Sequence, residues 1–409
     1  MTQKAKKRSK LRHAEYYDMQ NIFDELYAKS RDGEIFNNLV EIIAAPNNIM
    51  LAFRNIKSND GSHTAGTDGR TIESLADMPG EDFVSLIQKQ FTRYVPKTVR
   101  RVEIPKPNGK LRPLGIPCII DRIVQQCILQ VMEPICEAKF YEHSYGFRPC
   151  RSAENAVSYA YGLAQRNKLH YVVDVDIKGF FDNVNHRKLL QQIWTLGIRD
   201  TKLIQIIKAM LKAPIQMPDG EILYPDRGTP QGGILSPLLA NIVLNELDWW
   251  IASQWEGMAD HMKSPCKVTY YPNGAEKKCN SYTALKKSNL KEMRIVRYAD
   301  DFKIFCRNCK DADRAYHAVK DWLLKRLKLE ISDEKSKVTN LRKRDSEFLG
   351  FRMKLIRKRR TWVISSNVCD KAMSHMQKEL SKAIIEIQNS KTASDIKSNI
   401  HEYNAKVIW

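Results

Sequence analysis

Two adjacent carboxylates, Asp300 and Asp301, stand between two runs of β-favouring residues, Ile295–Tyr298 and Phe302–Cys306. This pattern predicts a hairpin with both carboxylates at its tip. Like charges side by side repel, and burying them unpaired would be costly. A hard divalent cation such as Mg²⁺ would offset the repulsion, because it prefers carboxylate oxygen ligands. An isolated acidic pair is more typical of a solvated tip, so the metal hypothesis depends on a further carboxylate elsewhere in the chain.

An upstream run, Tyr171–Ile177, supplies that carboxylate; its β-branched residues predict a core strand that ends before a glycine turn. Asp174 and Asp176 are two residues apart, so a strand would place both on one face. Together with Asp300 and Asp301, Asp176 would form a site able to hold two metal ions about 4 Å apart. Such a site supports in-line phosphoryl displacement. One ion would activate a primer 3′-hydroxyl, and the other would bind the nucleotide phosphates and the leaving pyrophosphate.

Three ordered blocks, Asp176–Val184, Gly228–Gly233 and Tyr298–Asp301, together resemble a reverse transcriptase. The resemblance is closest to the proteins encoded within bacterial group II introns, which are both reverse transcriptases and maturases, and it runs from about Asn48 to the last residue. It implies the α+β class and a right-hand polymerase fold, with fingers, palm, a helical N-terminal extension and a partial helical thumb. It also implies RNA as template, because the carboxylates alone would serve any two-metal polymerase.

The resemblance assigns roles to residues around the carboxylates. The catalytic residues and ligands of two Mg²⁺ ions would be Asp176, Asp300 and Asp301, with the carbonyl of Ile177 as a further metal ligand. Phe181 would lie under the sugar as the steric gate that excludes a 2′-hydroxyl, whereas Phe180 is more typical of a core aromatic.

A turn at Pro107–Gly109 predicts a hairpin between two short strands that carry basic side chains. These side chains could lie over a triphosphate as charge-assisted donors, and an exposed basic hairpin is the alternative. In the family, one lysine and one arginine of this hairpin contact the incoming nucleotide. The matching positions are Lys106 and Arg112, with Lys110 as a rival for the lysine.

Four further residues take their roles from matching motifs of the family. Gln231, in the glycine-rich loop, would line the nucleotide pocket. Lys335 would protonate the leaving pyrophosphate as a general acid and so belong to the nucleotide site. Arg148 would lie near the template, and Gly350 would belong to the primer-grip hairpin.

The composition points to a polyanionic partner. The formal net charge of +20 predicts salt-dependent binding of nucleic acid. The implied partners are a group II intron RNA, an RNA template with a DNA or RNA primer, and dNTPs; the oligomeric state stays open, a homodimer included. No apolar run reaches the ~18 residues of a membrane span and no signal peptide is evident, so we expect a cytoplasmic ribonucleoprotein without membrane contact. Nine cysteines in such a chain are expected to be reduced thiols.

The chain divides into three predicted regions. Residues 1–90 hold a basic arm and the N-terminal helical extension, residues 91–365 the fingers and palm with an insertion at about 251–293, and residues 366–409 the start of the thumb. The second thumb-helix pattern reaches Trp409 without a cap, from which we expect the thumb to be truncated here.

Two rival functions remain open from the sequence. The first is an RNA-binding maturase that assists splicing, with polymerase activity secondary. The second is a reverse transcriptase of a retron or a diversity-generating element, which the group II-like thumb and insertion disfavour.

Overall fold

The computed structural model describes residues 12–105, 111–230, 232–256, 267–279 and 291–408. It combines helices with separate, mostly antiparallel sheets, so the prediction of the α+β class is confirmed. Three predicted site residues, Lys106, Lys110 and Gln231, lie outside the described residues, as do the basic arm up to residue 11 and residues 257–266 and 280–290 of the predicted insertion.

The helices are grouped before, between and after the sheets. Their bounds are His13–Tyr16, Gln20–Arg31, Leu39–Ile43, Pro46–Lys57, Glu73–Ala76, Gly80–Thr92, Ile119–Glu137, Ala153–Gln165, Phe180–Asn183, His186–Thr195, Thr201–Leu211, Ser236–Trp255, Cys309–Trp322, Asp370–Gln388 and Ala393–Ile408. A 3₁₀ turn covers Asp60–His63, and a π-helical turn covers Leu323–Leu327.

The strands, β1 to β13 in chain order, build three larger sheets and one separate pair. Their bounds are Val99–Pro105, Leu111–Ile116, Tyr171–Val175, Ile215–Gln216, Ile222–Leu223, Lys267–Tyr270, Glu276–Cys279, Met293–Tyr298, Asp301–Cys306, Lys337–Asn340, Ser346–Phe348, Phe351–Lys358 and Thr361–Val368. The N-terminal sheet has the order β2-β1-β4-β5, the central sheet β10-β3-β9-β8 and the C-terminal sheet β11-β12-β13, while β6 pairs with β7.

The central sheet is buried on both faces, which explains its nearly continuous apolar strands. Val173 and Ile304 pack into the main core with the N-terminal helices and the helix Ile119–Glu137. Val172 and Phe305 point to the opposite face, where a second core forms with the helix Ala153–Gln165 and the C-terminal sheet. Because side chains alternate along a strand, the charged pair Asp174 and Lys303, which face each other in register, lie on the side of the second core.

The predicted hairpin around Ala299–Asp300 is present as β8 and β9, with Tyr298 paired to Asp301. The helix that precedes the predicted insertion continues to Trp255, which lies within the predicted bounds of about 251–293. Within it, β6 and β7 form a short hairpin whose turn contains Gly274 with a φ of +79°.

Candidate active site

The two carboxylates of the β8–β9 hairpin are presented by a two-residue turn, Ala299–Asp300. Ala299 adopts a φ of +56°, a left-handed conformation that alanine rarely takes. A turn of this kind follows the right-handed twist of the two strands, so the hairpin can close without a bulge. Asp301 is the first residue of β9 and Asp300 lies at the turn, which places both carboxylates at the end of the central sheet.

Asp176 lies just beyond β3, and its backbone is held by the segment 330–336. The amide of Ser332 donates to the Asp176 carbonyl at 2.8 Å, and the Asp176 amide donates to Ser336 Oγ at 3.1 Å. Ile177 forms an antiparallel bridge with Ile331. In this pairing the carbonyl of Asp176 accepts a hydrogen bond, whereas the carbonyl of Ile177 takes no part in it.

The carboxylates lie close enough for their charges to act on Asp301. The pKa of Asp301 is raised to about 6, mainly by burial and also by the nearby carboxylates of Asp174, Asp300 and Asp176, while the ammonium of Lys303 opposes the increase. Among the described residues, no three His, Cys, Asp or Glu side chains are gathered tightly enough to enclose a metal ion. Instead Lys335 Nζ lies 3.1 Å from Asp176 Oδ2. The site therefore concentrates negative charge, and a cationic group already lies against it.

A buried arginine supports the turn from inside. Arg297 is 1% exposed, and its guanidinium contacts both carboxylate oxygens of the fully buried Asp248 at 2.6–2.9 Å. The same guanidinium donates to the Ala299 carbonyl at 2.8 Å and to Asn241 Oδ1 at 2.9 Å. Because Asp248 and Asn241 belong to the helix Ser236–Trp255, this network fixes the carboxylate turn to that helix.

A loop before the helix Ala153–Gln165 packs directly on the same turn. Tyr145 N donates to the Arg297 carbonyl at 2.8 Å, so the loop pairs with the edge of β8. At Gly146, a Cβ would lie 2.2 Å from the Ala299 amide nitrogen, a distance that no side chain tolerates. Asn241 Nδ2 donates to the Gly146 carbonyl at 2.9 Å. The glycine therefore permits the backbone contact that supports the turn.

A second buried charge pair connects the carboxylate strands to the C-terminal sheet. Lys303 Nζ bonds to Asp174 and donates to Ser346 Oγ at 3.0 Å. Ser346 Oγ also donates to Asp174 Oδ1 at 2.9 Å, and Thr339 Oγ1 donates to Asp174 Oδ2 at 3.2 Å. Strands β3, β9, β10 and β11 thus share one hydrogen-bonded network directly behind Asp301.

Phe180 and Phe181 differ in burial as the sequence predicts. Phe180 is 2% exposed in the main core, whereas Phe181 is partly exposed and meets the Phe180 ring edge-on at 5.3 Å. The Phe181 carbonyl accepts from Thr229 N at 2.7 Å. Gly228, with a φ of +90°, lies so close that a Cβ would be 3.1 Å from that carbonyl. The glycine-rich loop is therefore bound to the backbone that carries Phe181.

The remaining predicted residues are placed as follows. Arg112 is exposed on β2, opposite Ile104. Gly350, with a φ of +83°, closes the two-residue turn between β11 and β12 together with Leu349, whose φ is +49°. The carbonyl of Gly350 accepts from Cys369 N at 2.8 Å and so anchors the start of the C-terminal helices.

Arg148, which is predicted to lie near the template, has a buried side chain. Its side chain is 2% exposed, and its guanidinium donates to Glu137 at 2.6–3.1 Å. It also donates to the carbonyls of Tyr141 and Ser144 at 2.6 and 2.7 Å. With its donors directed into the fold, Arg148 holds the loop to the helix Ile119–Glu137.

Sequence reasoning did not find Arg297, Asp248, Gly146 or Lys303. One signal was available: a charged residue inside an apolar run requires a partner when it is buried. Arg297 and Lys303 interrupt the two apolar strands of the hairpin, and Asp248 lies within a helix that is otherwise mostly apolar on all sides. The pattern indicates that partners exist, but it does not say which residues pair.

Comparison with known proteins finds a family model and several relatives that match this chain. Residues 104–353 match the model of the reverse transcriptase (RNA-dependent DNA polymerase) family. The chain is 34% identical to the protein YkfC of Escherichia coli over 328 residues, which is 78% of this chain and 83% of that protein. It is 32% identical to the group II intron-encoded protein LtrA of Lactococcus lactis over 357 residues, covering 79% of this chain and 58% of that relative.

A more distant relative is the mitochondrial nuclear intron maturase 2 of Arabidopsis thaliana, 29% identical over 175 residues, or 33% of this chain and 23% of the relative. In the part of the chain that the structure describes, no helix is long and apolar enough to span a membrane.

Proposed function

Because this chain belongs to the reverse transcriptase family, we propose that it extends a primer 3′-hydroxyl with deoxynucleotides on an RNA template. The observation that carries the proposal is the convergence of two carboxylate motifs that are more than a hundred residues apart in sequence. β3 pairs with β9, and at the end of that pair Asp176 and Asp300 lie close enough to contribute to the raised pKa of Asp301. In this proposal the N-terminal sheet serves as fingers, the central sheet as palm and the C-terminal helices as the start of the thumb.

Reverse transcriptases use divalent metal ions, and in this proposal the oxygen donors of the site hold two Mg²⁺ ions. Asp176, Asp300 and Asp301 offer hard carboxylate oxygens, and the Ile177 carbonyl lies outside the strand ladder. When bound, Mg²⁺ would lower the energy of the charge that develops on the transferring phosphoryl group. The burial that raises the pKa of Asp301 also favours a cation there, because like charges in a poorly solvated site repel strongly.

The chain's own side chains would bind and orient the nucleotide. Lys335, 3.1 Å from Asp176, would hold a proton near the leaving pyrophosphate. Arg112 would donate to the triphosphate from β2, and Phe181 would exclude a 2′-hydroxyl by contact with the sugar. Lys106, Lys110 and Gln231 keep the nucleotide-binding roles that their motifs predict. Gly350 would shape the hairpin that holds the primer.

A second function, binding of intron RNA to assist splicing, is supported by the intron-encoded relatives and by the net charge of +20. The chain spans 58% of the length of the group II intron-encoded relative, so we propose this activity for the described surfaces without extending it to that whole protein. In this proposal the chain forms a cytoplasmic ribonucleoprotein with its intron RNA.

Primer extension on an RNA template with Mg²⁺ and dNTPs tests the polymerase proposal. Asp300→Ala removes a proposed metal ligand and should reduce extension roughly a thousandfold. Asp313→Ala, an exposed helical aspartate, is the matched control and should extend at the wild-type rate. Extension that persists in Asp300→Ala would overturn the site assignment.

A wild-type protein that does not extend any primer, yet binds a structured intron RNA at nanomolar concentration in a salt-sensitive way, would favour the splicing function over the polymerase. Circular dichroism of each variant separates loss of chemistry from loss of folding.

A further inference from the structure

A basic groove lies on the two helices His186–Thr195 and Thr201–Leu211. It encloses about 980 Å³ and is bounded on its other sides by Asp226 and Arg326. None of the carboxylates of the candidate active site lines it. We call this surface the helical groove.

Helical spacing directs cations of both helices into the groove. Arg187 comes from the first helix, Lys208 comes from the second, and Lys212, four residues further on, is the C-cap of the second helix. All three are exposed, and none forms an ion pair with another residue of the described ranges. Nothing in the fold requires these three charges to be brought together.

The other charged groups of the groove are largely satisfied by one another. Lys188 and Arg326 both bind Glu246, at 2.9 and 2.5 Å. Asp226 is 93% exposed and lies 3.9 Å from Arg227. The groove therefore has an excess of positive charge, which comes from Arg187, Lys208 and Lys212.

An aromatic ring lies within this cationic surface. Trp194 is 42% exposed, and Arg199 Cζ lies 5.8 Å from its ring centroid, which orients the indole. Large aromatic side chains are usually buried, and an exposed one between cations is typical of surfaces on which single-stranded bases stack. A duplex would not offer its base faces to such a ring, because they are already stacked.

Polar groups beside the ring suit RNA. Gln191 and Thr195 are exposed on the same helix face, and both line the groove. Thr195 Oγ1 donates to the Gln191 carbonyl at 2.8 Å, so the hydroxyl oxygen can still accept a hydrogen bond. A ribose 2′-hydroxyl, which can donate and accept, complements these groups in a way that deoxyribose does not.

We propose that the helical groove binds single-stranded RNA. Arg187, Lys208 and Lys212 contact its phosphates, and a base stacks on Trp194. The site is separate from the carboxylates and does not rest on polymerase activity. It gives the chain a second nucleic-acid contact that can be filled while a primer and template occupy the first.

Competition tests this with the full chain. The protein is saturated with an unlabelled primer–template duplex, and a fluorescent twelve-nucleotide uridine RNA is added. The labelled RNA should still bind, and ultraviolet crosslinking followed by peptide mapping should attach it to the peptide that contains Trp194. Failure to bind the saturated protein would overturn the proposal.

Substitutions assign the binding to these side chains. Trp194→Ala should weaken binding of the RNA about tenfold, and Trp194→Phe should restore most of it. Lys208→Gln with Lys212→Gln should reduce the slope of log affinity against log salt by about 1.4, the share of two phosphate contacts on a single strand. The matched controls are Trp249→Phe and Lys202→Gln, exposed residues outside the groove, which should bind as wild type.

Equal binding of a twelve-nucleotide thymidine DNA would overturn the choice of RNA. Unchanged affinity in Trp194→Ala, or crosslinks only to other peptides, would overturn the groove itself. Primer extension on a short template should be unchanged in the groove variants, which confirms that they fold.

Discussion

The hairpins β8–β9 and β12–β13 both close with a two-residue turn whose first residue has a positive φ, +56° at Ala299 and +53° at Arg359. The β8–β9 turn carries carboxylates, and Arg297, Gly146 and Lys303 support it from within. The end of β12 and the β12–β13 turn carry the exposed cations of residues 357–360, none of which forms an ion pair within the described ranges. The two turns therefore differ in their surroundings. The β8–β9 turn is held in place by buried groups, whereas the β12–β13 turn presents exposed charges.

This difference shows what determines the position of a turn in the folded chain. A two-residue turn determines how two strands connect, but it does not determine where the turn lies relative to the rest of the fold. In β8–β9 that position is set by buried polar groups from another helix and another loop. We therefore expect substitutions in these supporting groups to affect folding and catalysis strongly, and substitutions at the exposed turn to affect neither.

The largest effect is expected from Asp248→Asn. The change leaves the buried Arg297 without its counter-charge, and breaking such a pair destabilises a protein by about 3–5 kcal/mol. Denaturant unfolding followed by circular dichroism should show this loss. In the double variant Asp248→Leu with Arg297→Met, stability should largely return, because an apolar pair can replace a buried ion pair. Extension should not return, because the bond to the Ala299 carbonyl is still missing. Full activity in the double variant would contradict a positioning role.

Gly146→Ala should come next. The added methyl would meet the Ala299 amide at 2.2 Å, so either the loop or the carboxylate turn must move. A displacement of about 1 Å at reacting groups can cost roughly a hundredfold in rate, which steady-state primer extension would measure. Gly61→Ala, at a glycine where a Cβ meets nothing within 4 Å, is the matched control.

An intermediate effect is expected far from both hairpins, at Glu133. Burial and, to a smaller extent, the charge of Glu137 together raise the pKa of this carboxyl to about 7. The folded chain holds the proton more tightly than the unfolded chain does. The resulting stabilisation is present below about pH 4.5 and is lost as the pH rises through 7. Glu133→Gln should therefore raise the free energy of unfolding by about 1 kcal/mol at pH 8 and leave it unchanged at pH 4.5. An equal gain at both pH values would contradict this.

The smallest effect is expected next to the exposed turn, at the end of β12. Arg357→Gln with Lys358→Gln should change the free energy of unfolding by less than about 0.5 kcal/mol, because these side chains have no buried partner. If this region contacts RNA, the slope of log affinity against log salt should decrease by about 0.7 for each cation that is removed. A large loss of stability would show that the two hairpins are more alike than their contacts indicate.

The sequence was sufficient to predict the elements whose signal is local. The strand before Asp176 and the hairpin at Asp300 follow from spacing and residue type, and the different burial of Phe180 and Phe181 follows from the resemblance to the family. The roles of the carboxylates, of Phe181 and of Lys335 in binding metal and nucleotide remain predictions. So do the three regional divisions of the chain.

Contacts between residues that are far apart in the chain could not be predicted from the sequence. Arg148 stands in a polar loop, where an arginine that faces RNA and one that faces Glu137 have the same local pattern. Arg297 and Asp248 are 49 positions apart, and their pairing depends on how a helix packs on a sheet. The need for glycine at position 146 likewise follows only from the approach of two backbones.

The network of Lys303, Asp174 and Ser346 has a consequence for translocation. It joins β11, and through it the turn at Gly350, to the strands that carry the carboxylates. If this turn holds the primer as proposed, the primer support and the catalytic strands move as one rigid body. At each step, the nucleic acid must then slide over a fixed surface rather than be carried forward by it.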